Sequence, residues 1–172
     1  MKVSAKRLNT VEEYYFSTKL KEVNSLIKKG NPIINLGIGS PDLLPPSSAI
    51  EALKNSLNDQ YANNYQSYIG LEDLRISISK FYNKWFDVDL DFNSEILPLM
   101  GSKEGIMHIS MAFLNVGDSV LIPNPGYPTY SSVTKLVQAN PIYYDLKAEN
   151  NWFPSIQELE KNDLTKVKLM WL

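Results

Sequence analysis

The chain has 172 residues, 17 Lys and Arg against 19 Asp and Glu, and a formal net charge of -2. This length fits one ordinary domain or a piece of a larger one, and the charge balance disfavours a nucleic-acid-binding surface. The absence of cysteine excludes disulfide scaffolds, thiolate metal sites and cysteine nucleophiles. With one histidine, a His-rich metal site or a Ser-His-Asp triad would have to depend on His108. There is neither a membrane-length apolar run nor a secretory signal core, so we expect a cytoplasmic protein without membrane association.

The N-terminal segment predicts a helix over residues 11–29. Thr10 and Glu13 have the spacing of a capping box, apolar residues follow at helical intervals, and a glycine then provides a typical stop. Residues 32–36 predict a short strand or extended run. The glycines and prolines of residues 37–46 predict a loop.

Two further helices are predicted before residue 90. Ser48 and Glu51 form a second capping-box pattern in front of an apolar face. A polar, tyrosine-rich stretch over residues 58–70 predicts a loop. The regular apolar stripe of residues 71–85 then predicts an amphipathic helix.

From residue 95 onward the pattern alternates between strand and helix. It predicts strands at 95–100, 119–122, 141–146 and 167–172, and helices at 102–115, 128–139 and 154–161. Such alternation implies an α/β layer structure with a largely parallel sheet. The helix at 102–115 is apolar nearly all round, which predicts burial. The chain stops inside its last apolar strand, although chemistry in open α/β sheets sits beyond strand ends, and this predicts a truncated sequence.

Two predicted strand-to-helix junctions can carry chemistry. At Gly101-Ser102-Lys103 a helix N-terminus, a hydroxyl and a cation could bind phosphate, although an ordinary glycine turn with a serine cap has the same pattern. Tyr127 lies between prolines that would hold its ring for stacking on a flat heteroaromatic ligand. A rigid surface turn is the alternative there.

Two earlier loops and one histidine are further candidates. Tyr65, before a helix, could donate a hydrogen bond to phosphate or simply pack within its loop. Gly37 and Gly39 would let the backbone approach a ligand closely, or form a plain turn. His108, on the helix predicted to be buried, is interpreted as a core or interface residue.

Taken together, these four segments resemble the fold-type I, pyridoxal-phosphate-dependent aminotransferases of classes I and II. The family's motifs correspond to Leu36–Asp42, to Tyr65 with Gly70 and Leu74-Arg75, to Gly101–Lys103 and to Pro125–Tyr130. The resemblance implies a three-layer α/β fold with a mostly parallel, incomplete sheet and an N-terminal helical arm. Residues 1–45 would form the arm, with small-domain and substrate-loop parts. Residues 46–172 would form the first half of the cofactor domain, truncated at its C-terminal strand.

The resemblance also implies roles for individual residues. Those assigned to the cofactor are Gly101, Ser102 and Lys103 at the phosphate, Tyr127 on the pyridine ring, and Tyr65 reaching the phosphate in the neighbouring subunit of a homodimer. Those assigned to the substrate are Gly39, Tyr14 or Tyr15, and Lys103. The lysine in the phosphate turn, the Gly-Ile-Gly loop and the Tyr14–Phe16 run look most like the LL-diaminopimelate aminotransferase branch.

The activity implied is transfer of an amino group between an amino acid and a 2-oxo acid, with pyridoxal 5′-phosphate as cofactor and no metal. The lysine that forms the family's Schiff base would lie beyond residue 172, so the chain by itself contains no catalytic residue and is expected to be inactive. Bare apolar faces and an unpaired strand edge are also expected. The alternatives are a related enzyme (a carbon–sulfur lyase or cyclopropane-forming synthase), a non-enzymatic regulator with such a domain, or a non-catalytic phosphate- or cofactor-binding remnant.

Overall fold

A computed structural model describes residues 4–10 and 15–172. These residues form two compact units, one made of residues 4–10 with Leu99–Leu172 and the other of Tyr15–Pro98. No helix within the described ranges is both long and apolar enough to cross a membrane. The domain boundary expected after residue 45 remains a prediction.

The unit Tyr15–Pro98 is helical, with α1 at Tyr15–Lys28, α2 at Ser47–Ser56 and α3 at Glu72–Phe86. The helix predicted at 11–29 is confirmed from residue 15. Residues 11–14 lie outside the described residues, and they include most of the first predicted capping box. Residues 32–36 form no strand, and the loops predicted at 37–46 and 58–70 are confirmed.

The second predicted capping box is wrong. Helix α2 begins one residue before Ser48, with Pro46 as its N-cap and without a side-chain cap. The carbonyl of Pro46 accepts the N–H of Ile50 at 3.2 Å, so the first helical hydrogen bond forms without Ser48.

One face of α3 binds the segment that follows it. The Arg75 guanidinium donates to the carbonyl oxygen of Phe92 at 2.6 Å, and the Ser79 hydroxyl donates to that of Leu90 at 2.7 Å. Arg75 and Ser79 are one turn apart, so they contact the same returning segment of the chain. These bonds fix the return path of residues 88–92 along α3.

The other unit is a three-layer α/β structure. Its parallel sheet has the order β2-β1-β3, with β1 at Ser119–Asn124, β2 at Asn140–Asp145 and β3 at Val167–Met170. Its helices are α4 at Ser102–Phe113, α5 at Pro128–Leu136 and α6 at Ile156–Leu159, with short 3-10 helices at Lys6–Thr10 and Ala148–Asn150. The α/β class and parallel sheet expected from the alternating pattern are thus confirmed.

Two apolar clusters cover the two faces of the sheet. On one face, Val120 and Ile122 of β1 pack with Leu114 and Ala139, next to Tyr130 of α5. On the other face, Leu121 packs with Tyr144 and with Leu159 of α6. Since neighbouring residues of β1 serve opposite clusters, the strand is buried from both sides, as a central parallel strand requires.

An irregularity between β1 and β3 changes the alternation of side chains. Ser119 is opposite Val167, but the next residue, Val120, is opposite Leu169, so Lys168 is an extra residue on β3. This is the arrangement of a β-bulge. As a result Val167 packs with the α6-side cluster and Leu169 with the α5-side cluster, although regular alternation would place them on one face.

Two expectations for this part of the chain are wrong. Residues 95–100 are not a strand, because no neighbouring strand pairs with them among the described residues. Helix α4 is not buried all round: Gly105, Ile106 and Ser110 are buried, whereas Met111 and Phe113 are 62% and 64% exposed. The described part of the chain covers only one side of this apolar helix.

Candidate functional site

The candidate site lies at the carboxyl ends of the parallel strands. The chain leaves β1 through α5 to β2 on one side and returns through α6 to β3 on the other side of β1. In open α/β sheets such a reversal leaves a crevice that binds ligands. Here the ends of β1 and β2 are joined by the Asn124 amide, which donates to the Asp145 carboxylate at 2.8 Å.

The turn before α4 has the features of an anion site. Gly101 has φ 101° and ψ 157°, a conformation open almost only to glycine, and it is the N-cap of the helix. Neither the N–H nor the hydroxyl of Ser102 has a hydrogen-bond partner within the described part of the chain. The twelve-residue helix adds the positive end of its dipole at this point. The predicted Gly-Ser-Lys turn therefore has a geometry suited to phosphate.

An acidic side chain in the same turn is engaged by the backbone. The Glu104 carboxylate accepts a hydrogen bond from the N–H of Met100, the residue before the turn. The carboxylate is thereby bound to the backbone segment that leads into Gly101. This contact stabilises the turn and stands in for the missing side-chain cap.

The two predicted cofactor segments of this unit lie next to each other. The Lys103 ammonium is 5.7 Å from the centroid of the Tyr127 ring, within the range of a cation–π contact. The two residues are far apart in sequence, so the fold of this unit brings them together. A phosphate bound at the turn would thus have an aromatic face beside it.

Rigid backbone holds Tyr127 in place. The Asn124–Pro125 peptide bond is cis, and Pro128 is the first residue of α5, for which Tyr127 is the N-cap. A Cβ at Gly126 would collide with the carbonyl oxygen of Pro123. Only glycine fits there, and the turn places the half-buried ring at the edge of the sheet.

Three aromatic residues near the site were given no role by the sequence. The rings of Tyr127 and Tyr130 meet edge to face at 5.7 Å, and Tyr130 stacks parallel on Trp171 at 5.0 Å. Tyr144, on the opposite face of the sheet, donates its hydroxyl to the carbonyl of Trp171. The i, i+3 spacing of Tyr127 and Tyr130 on one helix was the available signal for their contact. Nothing local predicted Trp171 or Tyr144.

The remaining candidates belong to the unit Tyr15–Pro98. Tyr65 is fully exposed in its loop, and Gly39 lies in an exposed loop where an added Cβ would have no atom within 4 Å. Tyr15 begins α1 with its ring 5.9 Å from that of Phe16. Tyr14 lies outside the described residues. The roles assigned to these residues stay predictions.

The ionisable groups of the described residues bear on two needs, those of a metal site and those of a proton donor. Within the described ranges no group of three His, Cys, Asp or Glu is placed to hold a metal ion. His108 is exposed on α4 and is not a core residue of this unit. Burial raises the pKa of Tyr144, so its hydroxyl remains protonated and able to donate near neutral pH.

Comparison with known proteins gives one consistent family. A family model described as aminotransferase class I and II matches residues 31–172. The LL-diaminopimelate aminotransferase of Aquifex aeolicus is 37% identical over 166 residues, which are 96% of this chain and 43% of that protein. The enzyme of the same name from Natranaerobius thermophilus is 38% identical, over 98% of this chain and 44% of its own length.

Solved structures agree with this result. The apo-BacF structure from Bacillus subtilis matches all of this chain and 44% of its own, with a TM-score of 0.91 and 31% identity. An alanine aminotransferase from Pyrococcus furiosus gives a TM-score of 0.88 and 29% identity, over 98% of this chain and 43% of its own. The chain therefore spans less than half the length of the relatives it matches.

Proposed function

The chain belongs to the class I and II aminotransferase family, and we propose that the protein containing it transfers an amino group between an amino acid and a 2-oxo acid. The observation that carries the proposal is the contact between the Gly101–Lys103 turn and the Tyr127 ring. This contact joins an anion site to an aromatic face. An aminotransferase needs both for its cofactor.

We propose pyridoxal 5′-phosphate as that cofactor. Its phosphate fits the N–H and hydroxyl of Ser102 and the positive end of the α4 dipole. Its flat ring fits the face of Tyr127, which the proline-rich turn holds rigid. When bound, the cofactor supplies a carbonyl that takes up the amino group and a ring that withdraws electrons.

The chain's own residues would bind and orient in this reaction. Gly101 lets the backbone turn into the helix, Ser102 donates to phosphate, and Lys103 neutralises part of its charge. Tyr127 covers one face of the ring and keeps water from it. The proton transfers require a lysine that we expect outside these 172 residues.

The relatives point to a diacidic, diamino substrate. The curated relatives given above are named LL-diaminopimelate aminotransferases, and we propose LL-diaminopimelate as the amino donor. In this proposal Gly39, Tyr14 or Tyr15, and Lys103 contact the substrate. Tyr65 contacts the cofactor phosphate in the second subunit of a homodimer.

The first test is to read the coding sequence beyond codon 172 and to assay the full-length product. With LL-diaminopimelate and a panel of 2-oxo acids, we expect a new amino acid and a new oxo acid in equal amounts, dependent on pyridoxal 5′-phosphate. Release of ammonia with an oxo acid, in place of paired products, would instead favour the lyase alternative. A stop codon directly after codon 172 would contradict catalysis by this protein.

A substitution tests the cofactor site directly. Lys103→Met removes the cation beside Tyr127, and we expect the cofactor dissociation constant to rise about tenfold, because a charge-assisted hydrogen bond to phosphate contributes about 1.5 kcal/mol. Lys161→Met removes an exposed lysine elsewhere in the same unit and serves as control. Equal affinities of the two variants, measured by equilibrium dialysis, would contradict the assignment.

A further inference from the structure

The end of β3 is held by two tyrosine hydroxyls from opposite faces of the sheet. From the α5 side, the Tyr130 hydroxyl donates to the carbonyl oxygen of Leu172 at 3.3 Å. From the α6 side, the Tyr144 hydroxyl donates to the carbonyl oxygen of Trp171. Two consecutive main-chain oxygens after Met170, the last paired residue of β3, are therefore oriented by side chains that belong to other elements.

We propose that Tyr130 and Tyr144 are positioning residues that fix the direction in which the chain leaves β3 and enters the candidate site. The inference rests on the proposed function, because it concerns the loop after β3 in the full-length protein. In an open α/β sheet the loop after a strand beside the reversal point lines the ligand crevice. β3 is that strand, paired in parallel with β1.

Tyr130 also connects this point to the ring proposed to stack on the cofactor. Its ring meets Tyr127 edge to face at 5.7 Å and lies parallel to Trp171 at 5.0 Å. The three rings thus form a row from Trp171 to Tyr127, and the Lys103 ammonium contacts the ring at the Tyr127 end. A displacement of β3's end would therefore reach the cofactor ring through Tyr130.

The Trp171 side chain shows that this position is determined by packing. Its indole lies against the cluster of Val120 and Ile122, and its buried Nε1 has no hydrogen-bond partner in the part of the chain that the structure describes. The backbone N–H of Trp171 still continues the ladder to Leu121 at 2.9 Å. That amide is a direct reporter of order at the end of β3.

The test removes the hydroxyls and keeps the rings. Tyr130→Phe, Tyr144→Phe and the double variant are made in the full-length protein. Tyr143→Phe, on the same strand as Tyr144, is the matched control, because its hydroxyl has no hydrogen-bond partner among the described residues. Hydrogen–deuterium exchange at Trp171, the dissociation constant of pyridoxal 5′-phosphate and the urea midpoint are measured for each.

We expect each single variant to raise both the exchange rate at Trp171 and the cofactor dissociation constant about fivefold, since each loses one ordinary hydrogen bond. The double variant is expected to raise both quantities about 25-fold. The control is expected to change neither. A purely structural role would lower the urea midpoint and leave the cofactor constant of the folded protein unchanged, and that result would overturn the proposal. A wild-type protein that binds no pyridoxal 5′-phosphate would refute the proposed function, whereas normal binding by the double variant would refute only this inference.

Discussion

Gly101 and Lys103 contribute to the same turn in different ways. Gly101 allows a backbone conformation, and Lys103 brings a charge to the Tyr127 ring. The sequence predicted a close backbone approach at the glycine and a cation at the lysine, because Gly-Ser-Lys at a strand-to-helix junction is typical of a phosphate-binding turn. The contact between Lys103 and Tyr127 was not predictable in the same way, since no local pattern encodes a distance between such separated residues.

The conformation of Gly101 leads to a stability prediction. Gly101→Ala meets no atom within 4 Å of its Cβ, so its cost comes from the backbone at φ 101° alone. We expect a loss of about 1–3 kcal/mol in the free energy of unfolding, measured by urea denaturation. Gly39→Ala, which has the same open space and no positive φ, is the control and is expected to be neutral or slightly stabilising. Equal losses for both variants would contradict the strain argument.

At the scale of elements, the long periodic segments were predicted well and the isolated ones were not. Helices α3 and α5 and strands β1, β2 and β3 follow from their patterns because each carries its own apolar face. Residues 95–100 have a strand-like pattern but no neighbouring strand among the described residues, and pairing cannot be read from one segment. The capping box at Ser48 failed because Pro46 starts α2 earlier.

The turn between α6 and β3 depends on one carboxylate. The Asp163 Oδ1 accepts the Thr165 hydroxyl at 2.7 Å and the Thr165 N–H at 3.0 Å. Both hydrogen bonds lower the pKa of Asp163, and the bond from the Thr165 hydroxyl has the larger effect. Because the folded pKa is below the unfolded one, the turn is stabilised above the ordinary aspartate pKa, and that stabilisation is lost as pH falls through the lowered value.

A substitution separates the two hydrogen bonds. Thr165→Val removes the hydroxyl and keeps the N–H, so we expect the pKa of Asp163 to rise part of the way to its ordinary value, followed by carbon-detected NMR. Asp91, whose pKa is lowered mainly by the Ser94 hydroxyl, is an internal reference that is expected not to move. An unchanged titration of Asp163 would show that the hydroxyl does not set its pKa.

At the scale of the whole molecule, much apolar surface is uncovered. Met111 and Phe113 on α4, and Phe81 and Trp85 on α3, are all exposed. Soluble monomers rarely expose large contiguous apolar patches. The sequence predicted such bare faces from its resemblance to a larger family, although it could not say which side of α4 would be covered.

This surface predicts the behaviour of the isolated 172-residue chain. We expect it to bind the dye ANS and to self-associate in sedimentation velocity runs. Met111→Lys with Phe113→Lys should reduce both by at least about twofold, because the two charges replace two exposed apolar side chains of α4. Gln60→Lys with Asn63→Lys adds the same charge to an exposed polar loop and should change neither. A monomeric chain without ANS binding would contradict this prediction.

The bulge at Lys168 makes the phase of β3 independent of one extra residue. Because the bulge absorbs Lys168, Leu169 is opposite Val120 and the Trp171 indole lies on the α5 side, where Tyr130 stacks on it. Removal of Lys168 would leave Val167 opposite Ser119 and Leu169 opposite Val120, now in regular alternation. A deletion of Met170 would instead move the indole to the other face, much as a frameshift changes all later codons. Length variation among relatives should therefore be accepted at Lys168 and rejected two residues later.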